Sequence, residues 1–254
     1  MRAVTRILVS IVCALCANSL LAQPIEPSAV RMMGVAGNME TTVYMPASVS
    51  PTKAALVLHT SSGLREGDHR FAQKLAEEGF VVAVPAFMKA YDITESTRQQ
   101  TWTLFGKKIY ADFLAIIAAV GQETKIGKDG FYAVGFSNGG HWSALLAARA
   151  DVKAGVSYYG AFTEGGTDKN LRTFREAVNG KSHPLLILHG TSDAVVNNQF
   201  AMMLEGLYRK EGAPVAAHYF VGAGHSFERQ LGVDANQAAA SASWNLSVKF
   251  LQTN

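Results

Sequence analysis

The stretch YAVGFSNGGHWSALLAARA, Tyr132 to Ala150, changes character at Ser137. Before the serine the residues are apolar and bulky; after it come two glycines and then an alanine-rich run of helical composition. Phe131 to Phe136 suits a short buried strand, and Trp142 to Arg149 suits a helix. The joint itself, Gly135-Phe136-Ser137-Asn138-Gly139, fits the pattern G-x-S-x-G. A turn this tight holds its serine in strained dihedrals and leaves no room for side chains two residues away on either side. The pentapeptide alone is a weak signal; the strand before it and the helix after it make it a nucleophile elbow.

Outward from the elbow, strands and helices alternate. An opening hairpin is expected at Val30 to Val35 and Thr41 to Met45, around Ala36-Gly37-Asn38. Strands follow at Ala54 to His59, Phe80 to Pro85, Ala154 to Tyr159, Pro184 to His189 and Val215 to Val221. Helices are expected at Arg70 to Glu78, Gln100 to Val120, Val196 to Glu211 and Ala235 to Leu251. Such alternation implies right-handed crossovers and an α/β fold, a mainly parallel sheet with helices on both faces. The connection from Gly160 to Ser182 is too short for a large lid domain.

The chain has 254 residues and opens on Arg2 and Arg6, an apolar stretch from Ile7 to Ala22, and then Gln23-Pro24. That is the layout of a secretory signal peptide cleaved after Ala22, which predicts a periplasmic or secreted protein. The run is interrupted by Asn18 and Ser19 and falls short of a spanning helix, so no stable membrane insertion is expected after cleavage. Residues 23–254 then form one domain. Both cysteines, Cys13 and Cys16, are lost with the signal, leaving neither a disulfide nor a thiol nucleophile. Of 23 basic and 20 acidic residues, Arg2 and Arg6 leave with it too. A nearly neutral mature surface gives no reason to expect nucleic acid as a partner. Oligomeric state is not readable.

Reactive groups in parallel sheets gather at the carboxyl ends of the strands. A serine nucleophile needs a base, itself oriented by a third group. His225 lies in Gly222-Ala223-Gly224-His225-Ser226, just past the last strand. Asp193 is placed likewise after Gly190-Thr191-Ser192, where a helix N-cap is its alternative reading. His69, His183 and His218 read as structural, while His141, four residues after Ser137, reads as a pocket residue. The oxyanion of an attacked carbonyl needs two donors: the N–H of Asn138, and one from the loop His59-Thr60-Ser61-Ser62-Gly63, assigned to Ser61. A plain turn would explain that loop as well.

From Ala54 to the C-terminus the chain resembles the dienelactone hydrolase family within the α/β-hydrolases. The similar stretches are ALVLHTSSG, EEGFVVAVPAF, GFSNGG, GVSYYGAF, HPLLILHGTSDAVV and GAGHSFER, in order from Ala55 to Arg229. The resemblance implies Ser137, Asp193 and His225 as a triad, in the family's nucleophile, acid, base order, with Ser61 and Asn138 as the oxyanion hole. It differs at two positions. Founding members carry a cysteine at the elbow where this chain has Ser137, and a glutamate in the oxyanion loop where it has Thr60. The two changes are mutually consistent and point to an ordinary serine esterase. The family's carboxylate-binding arginines map onto Arg98 and Arg229, and Trp102 falls where a pocket tyrosine stands; two solvated surface arginines would look the same.

The expectation is a serine hydrolase of small carboxylic esters or lactones. A polyester or carbohydrate-ester hydrolase is the nearest alternative, and a silent binding protein on the same fold the more distant one. Neither H-E-x-x-H nor a dinucleotide G-x-G-x-x-G after the first parallel strand is present, so no metal or cofactor is expected.

Overall fold

Ala54 to Leu58 alternate in what they face: Ala54, Leu56 and Leu58 join one apolar cluster, Ala55 and Val57 another. A strand buried on both sides this way must sit in the middle of a sheet covered by helices on both faces. The computed structural model describes residues 29–33, 39–47, 50–163, 171–229 and 234–254. Their strands are β1 (Ala29–Met33), β2 (Glu40–Tyr44), β3 (Lys53–Leu58), β4 (Phe80–Pro85), β5 (Phe131–Phe136), β6 (Ala154–Tyr158), β7 (Leu185–Gly190) and β8 (Val215–Phe220). The helices are α1 (Glu66–Glu77), α2 (Gln100–Thr103), α3 (Gly106–Thr124), α4 (Asn138–Ala148), α5 (Arg172–Ala177), α6 (Gln199–Lys210) and α7 (Asp234–Thr253). The signal segment, the Ala36-Gly37-Asn38 turn and residues 164–170 lie outside the described residues.

The eight strands form one sheet in the order β1-β2-β4-β3-β5-β6-β7-β8. From β4 through β8 every pairing is parallel, and β2 runs antiparallel to both neighbours. This is the mainly parallel α/β architecture expected from the alternation. β3 and β5 pair from Ala54 with Phe131 to Leu58 with Gly135, which brings the loop after β3 beside the elbow after β5. Each fully buried valine or leucine of these strands contributes about 1.5–3 kcal/mol. β1 and β8 are the edge strands of this sheet, and the alternating burial of β8 shows it covered on one face only.

Two expected elements differ. The helix expected from Gln100 to Val120 breaks in two, because the turn of α2 closes with Phe105 N–H donating to Gln100 O (2.9 Å) before α3 starts at Gly106. A methyl group on Gly106 would lie 3.3 Å from Thr101 O, so the close crossing favours glycine. Secondly, the Gly160 to Ser182 connection carries a short helix, α5, whose Phe174 is fully buried against Phe162 and His141. No large lid domain covers the described sheet.

Candidate active site

Ser137 takes φ 53° and ψ −107°, a left-handed conformation that a non-glycine residue adopts only when its surroundings hold it there. Its N–H donates to Tyr158 O (2.9 Å), and its carbonyl accepts from His141 N (3.1 Å) and Ala161 N (3.0 Å). The flanking glycines are obligatory. A methyl group on Gly135 would fall 1.9 Å from Gly139 O, and one on Gly139 would fall 2.0 Å from Leu58 O. The elbow thus brings three backbone segments closer than any side chain allows. Ser137 sits at the start of α4, 7% exposed.

The neighbouring loop is fastened to the same corner. Gly139 N donates to His59 O (3.0 Å), and Asn138 Nδ2 donates to Ser61 Oγ (3.3 Å) and Thr101 Oγ1 (3.2 Å). Ser61 and Asn138 are therefore side by side. The backbone N–H of Asn138, in the first turn of α4, has no intrahelical acceptor and lies at the positive end of the helix dipole.

Asp193 follows β7 and is not the N-cap of α6, which is Asn198. Its Oδ1 accepts from Val195 N and Val196 N, both at 2.8 Å, and its Oδ2 accepts from His225 Nδ1 at 2.7 Å. Burial would raise the carboxyl's pKa, but hydrogen bonds from His189, His225 and Val196 outweigh it and hold the group well below the usual carboxylate range. With Nδ1 donating to a carboxylate, the His225 imidazole keeps Nε2 as its basic nitrogen. Its side chain is 15% exposed and lies against the Tyr159 ring, with centroids 4.5 Å apart. Among the described residues no hydrogen bond joins Ser137 Oγ to the imidazole; such contacts tighten when a substrate is bound.

His189 is the residue that sequence reasoning missed. It is the penultimate residue of β7, fully buried, and its Nε2 lies 3.2 Å from Asp193 Oδ2 and 3.0 Å from Val196 O. A histidine ending the otherwise apolar run LLILHG was the available signal. The other histidines have partners of their own. His141 donates through Nδ1 to Ala161 O (3.1 Å), and burial pushes its pKa down to about 3, so it is a neutral wall residue. His69 bonds Tyr44 Oη, His183 bonds Val152 O, and His218 lies against Phe220.

The three expected substrate residues are not brought together. Trp102 is half-buried and lines a cavity of about 230 Å³ with His141 and Trp142. Arg98 is exposed, its Nη1 donating to Glu95 O (2.9 Å). Arg229 turns instead toward two carboxylates, Asp68 and Glu228, above the Phe136 ring. Among the described residues the two arginines share no hydrogen-bond or ion-pair partner. No group of three or more His, Cys, Asp or Glu side chains could hold a metal ion, and no helix is long and apolar enough to cross a membrane, again among the described residues.

Comparison with known proteins gives one family and one fold. The profile of the Dienelactone hydrolase family matches residues 39–254. No curated protein sequence matches the chain. Among solved structures, a protein from Klebsiella pneumoniae subsp. pneumoniae MGH 78578 assigned as a dienelactone hydrolase superposes with a TM-score of 0.71 at 19% identity, covering 89% of this chain and 98% of its own. The dienelactone hydrolase-like promiscuous phosphotriesterase P91 from metagenomic libraries superposes at 0.69 and 18% identity, covering 89% and 97%. Thermogutta terrifontis esterase 2, phosphonylated by sarin, superposes at 0.68 and 17% identity, covering 90% and 95%. At such identities the likeness concerns the fold.

Proposed function

The chain belongs to the dienelactone hydrolase family, and on that premise we propose that it is a serine hydrolase cleaving small carboxylic esters or lactones. The observation that carries this reading is the His225 Nδ1 to Asp193 Oδ2 bond, set at the same sheet end as a serine in strained dihedrals. Ser137 Oγ attacks the carbonyl carbon while its proton passes to His225 Nε2. The tetrahedral oxyanion is received by the N–H groups of Asn138 and Ser61, at the positive end of α4. Collapse expels the alkoxide, which takes the proton from His225; in a lactone the new hydroxyl stays on the acyl group. Water, deprotonated by His225, then releases the acid and restores Ser137. Asp193 holds the imidazole tautomer and stabilises its charged form.

A neutral substrate fits this site better than a carboxylate-bearing one, since Arg229 already faces two carboxylates. The N-terminal segment supports a periplasmic or secreted location. Mass spectrometry of exported protein should give a chain starting near Gln23; a membrane fraction retaining Met1 would mean an anchor. The activity itself is tested with a fluorescent phosphonate followed by peptide mapping, and with a panel of aryl esters, lactones, acetylated sugars and polyesters. Label on Ser137, absent in Ser137→Ala, together with turnover of small neutral esters, is expected. Folded protein that takes no label would leave the binding-protein reading standing.

A further inference from the structure

Arg229 is linked, directly or through one or two residues, to three of the segments that bear on the reaction: the base loop, the elbow and the oxyanion loop. Its Nη2 donates to Asp68 Oδ1, and Asp68 is fully buried. The other oxygen of Asp68 accepts from Arg65 N (2.8 Å), and Arg65 Nε donates to Ser62 O (3.0 Å), next to Ser61. The guanidinium lies 5.2 Å above the centroid of Phe136, the residue before Ser137. Its Nε donates to Glu228 Oε1 (2.8 Å), which also accepts from Tyr159 Oη (2.5 Å), and the Tyr159 ring supports His225. Its own N–H closes the base loop on Ser226 O (3.0 Å), where Ser226 has φ 55°. Gly67 has no side chain to displace the guanidinium, which lies 3.5 Å from where a Cβ would stand.

Resting on the serine-hydrolase reading, we propose that Arg229 is a positioning residue: it locks the base loop, the elbow and the oxyanion loop to one another and does not meet the substrate. The chemistry favours arginine. Its planar fork serves two carboxylates at once and is weakly hydrated, whereas a lysine ammonium would serve one as a point charge. Removing it strands the fully buried Asp68, and the half-buried Glu228 beside it, without their shared cation.

The test compares Arg229→Met, Arg229→Lys, Asp68→Asn and the Met/Asn double variant with wild type, using a neutral aryl ester and its carboxylate-bearing analogue. Misplacing the catalytic groups by about 1 Å predicts a fall in kcat of about 10- to 100-fold for Arg229→Met. KM for the neutral ester should stay within about threefold, because no binding contact is lost. Arg229→Lys should recover part of the loss, and the double variant should be no worse than Arg229→Met. Backbone amide exchange should quicken in residues 59–68 and 221–229. Unchanged kcat with unchanged exchange would overturn the proposal. A loss confined to the carboxylate-bearing ester would also overturn it, by making the guanidinium a substrate ligand. If Arg229→Met does not fold, Arg229→Lys and Asp68→Asn carry the same comparison. If wild type neither turns over esters nor takes a phosphonate, the hydrolase reading fails by itself, and the exchange data still decide whether Arg229 locks the loops.

Discussion

His189 Nε2 and Asp193 Oδ2, four residues apart and both sealed from solvent, lie 3.2 Å from each other. The oxygen involved is the one that accepts from His225, so in the proposed mechanism the carboxylate that orients the base is itself oriented by a second histidine. A hydrogen bond to a charged group is worth about 1.5–3 kcal/mol. His189→Phe should therefore lower kcat by about tenfold or more and raise the acid limb of the pH profile, as Asp193 becomes easier to protonate. His189→Gln, which can present a donor near the Nε2 position, should retain most of the rate. Full activity in His189→Phe would reduce His189 to packing.

Ser137→Ala, His225→Ala and Asp193→Asn should each cost kcat about 10⁴-fold, with the melting temperature little changed for the first two. In the proposed mechanism the three act as a unit, so Ser137→Ala/His225→Ala should be scarcely slower than Ser137→Ala alone. Stopped assays on an activated aryl ester measure this. Turnover near the wild-type rate in His225→Ala would mean that another base serves, although His141 is occupied by Ala161 O.

The parts of this molecule written in local pattern are the parts legible in its sequence. β4 and β5 fall where their apolar runs and glycine boundaries put them. The candidate residues Ser137, Asp193 and His225 could be picked out because each follows the carboxyl end of a strand. Helix ends were less legible. α1 starts at Glu66 rather than Arg70 because Asp68 reaches back to Arg65 N, a capping contact that hydrophobic periodicity does not register. The surroundings of Arg229 were not legible at all: its partner Asp68 is 161 residues away, and only the folded chain opposes them. The family resemblance therefore pointed Arg229 at a substrate, where the structure gives it two protein carboxylates.

The elbow's glycines and a distant helical glycine should respond in opposite directions. Gly139→Ala and Gly135→Ala place a methyl group about 2 Å from backbone oxygens that cannot yield, and neither should give soluble folded protein. Gly206, inside α6, has open space around a Cβ, so Gly206→Ala should stabilise by about 1 kcal/mol through helix propensity. Soluble yield and melting temperature distinguish the cases. A well-folded Gly139→Ala protein would show that the elbow is looser than its contacts imply.

Acid should unfold this protein in two windows, and the sign of each follows from its group. His59 and His141 are buried and neutral, with pKa values pushed down by burial to about 4 and about 3. In the unfolded chain both titrate near 6.5, so below about pH 6.5 the unfolded state binds protons that the folded state refuses. Stability then falls with pH, and His59 alone accounts for about 2–3 kcal/mol between pH 6.5 and 4.5. Asp193 acts lower down. Its folded pKa is depressed, so its contribution is complete above its unfolded value of about 3.9 and is lost only as pH falls through the folded value. Glu228, raised by burial, works the other way and offsets part of the loss where it takes up a proton. Urea unfolding at pH 7.5, 6.5, 5.5 and 4.5 reads the first window directly. His59→Phe, stacking on Phe87 as His59 does, should flatten the slope between pH 6.5 and 4.5 while costing some stability at pH 7.5 through loss of the Thr60 O bond. An unchanged slope in that variant would move the acid sensitivity to other groups, and His141→Phe would be the next to measure.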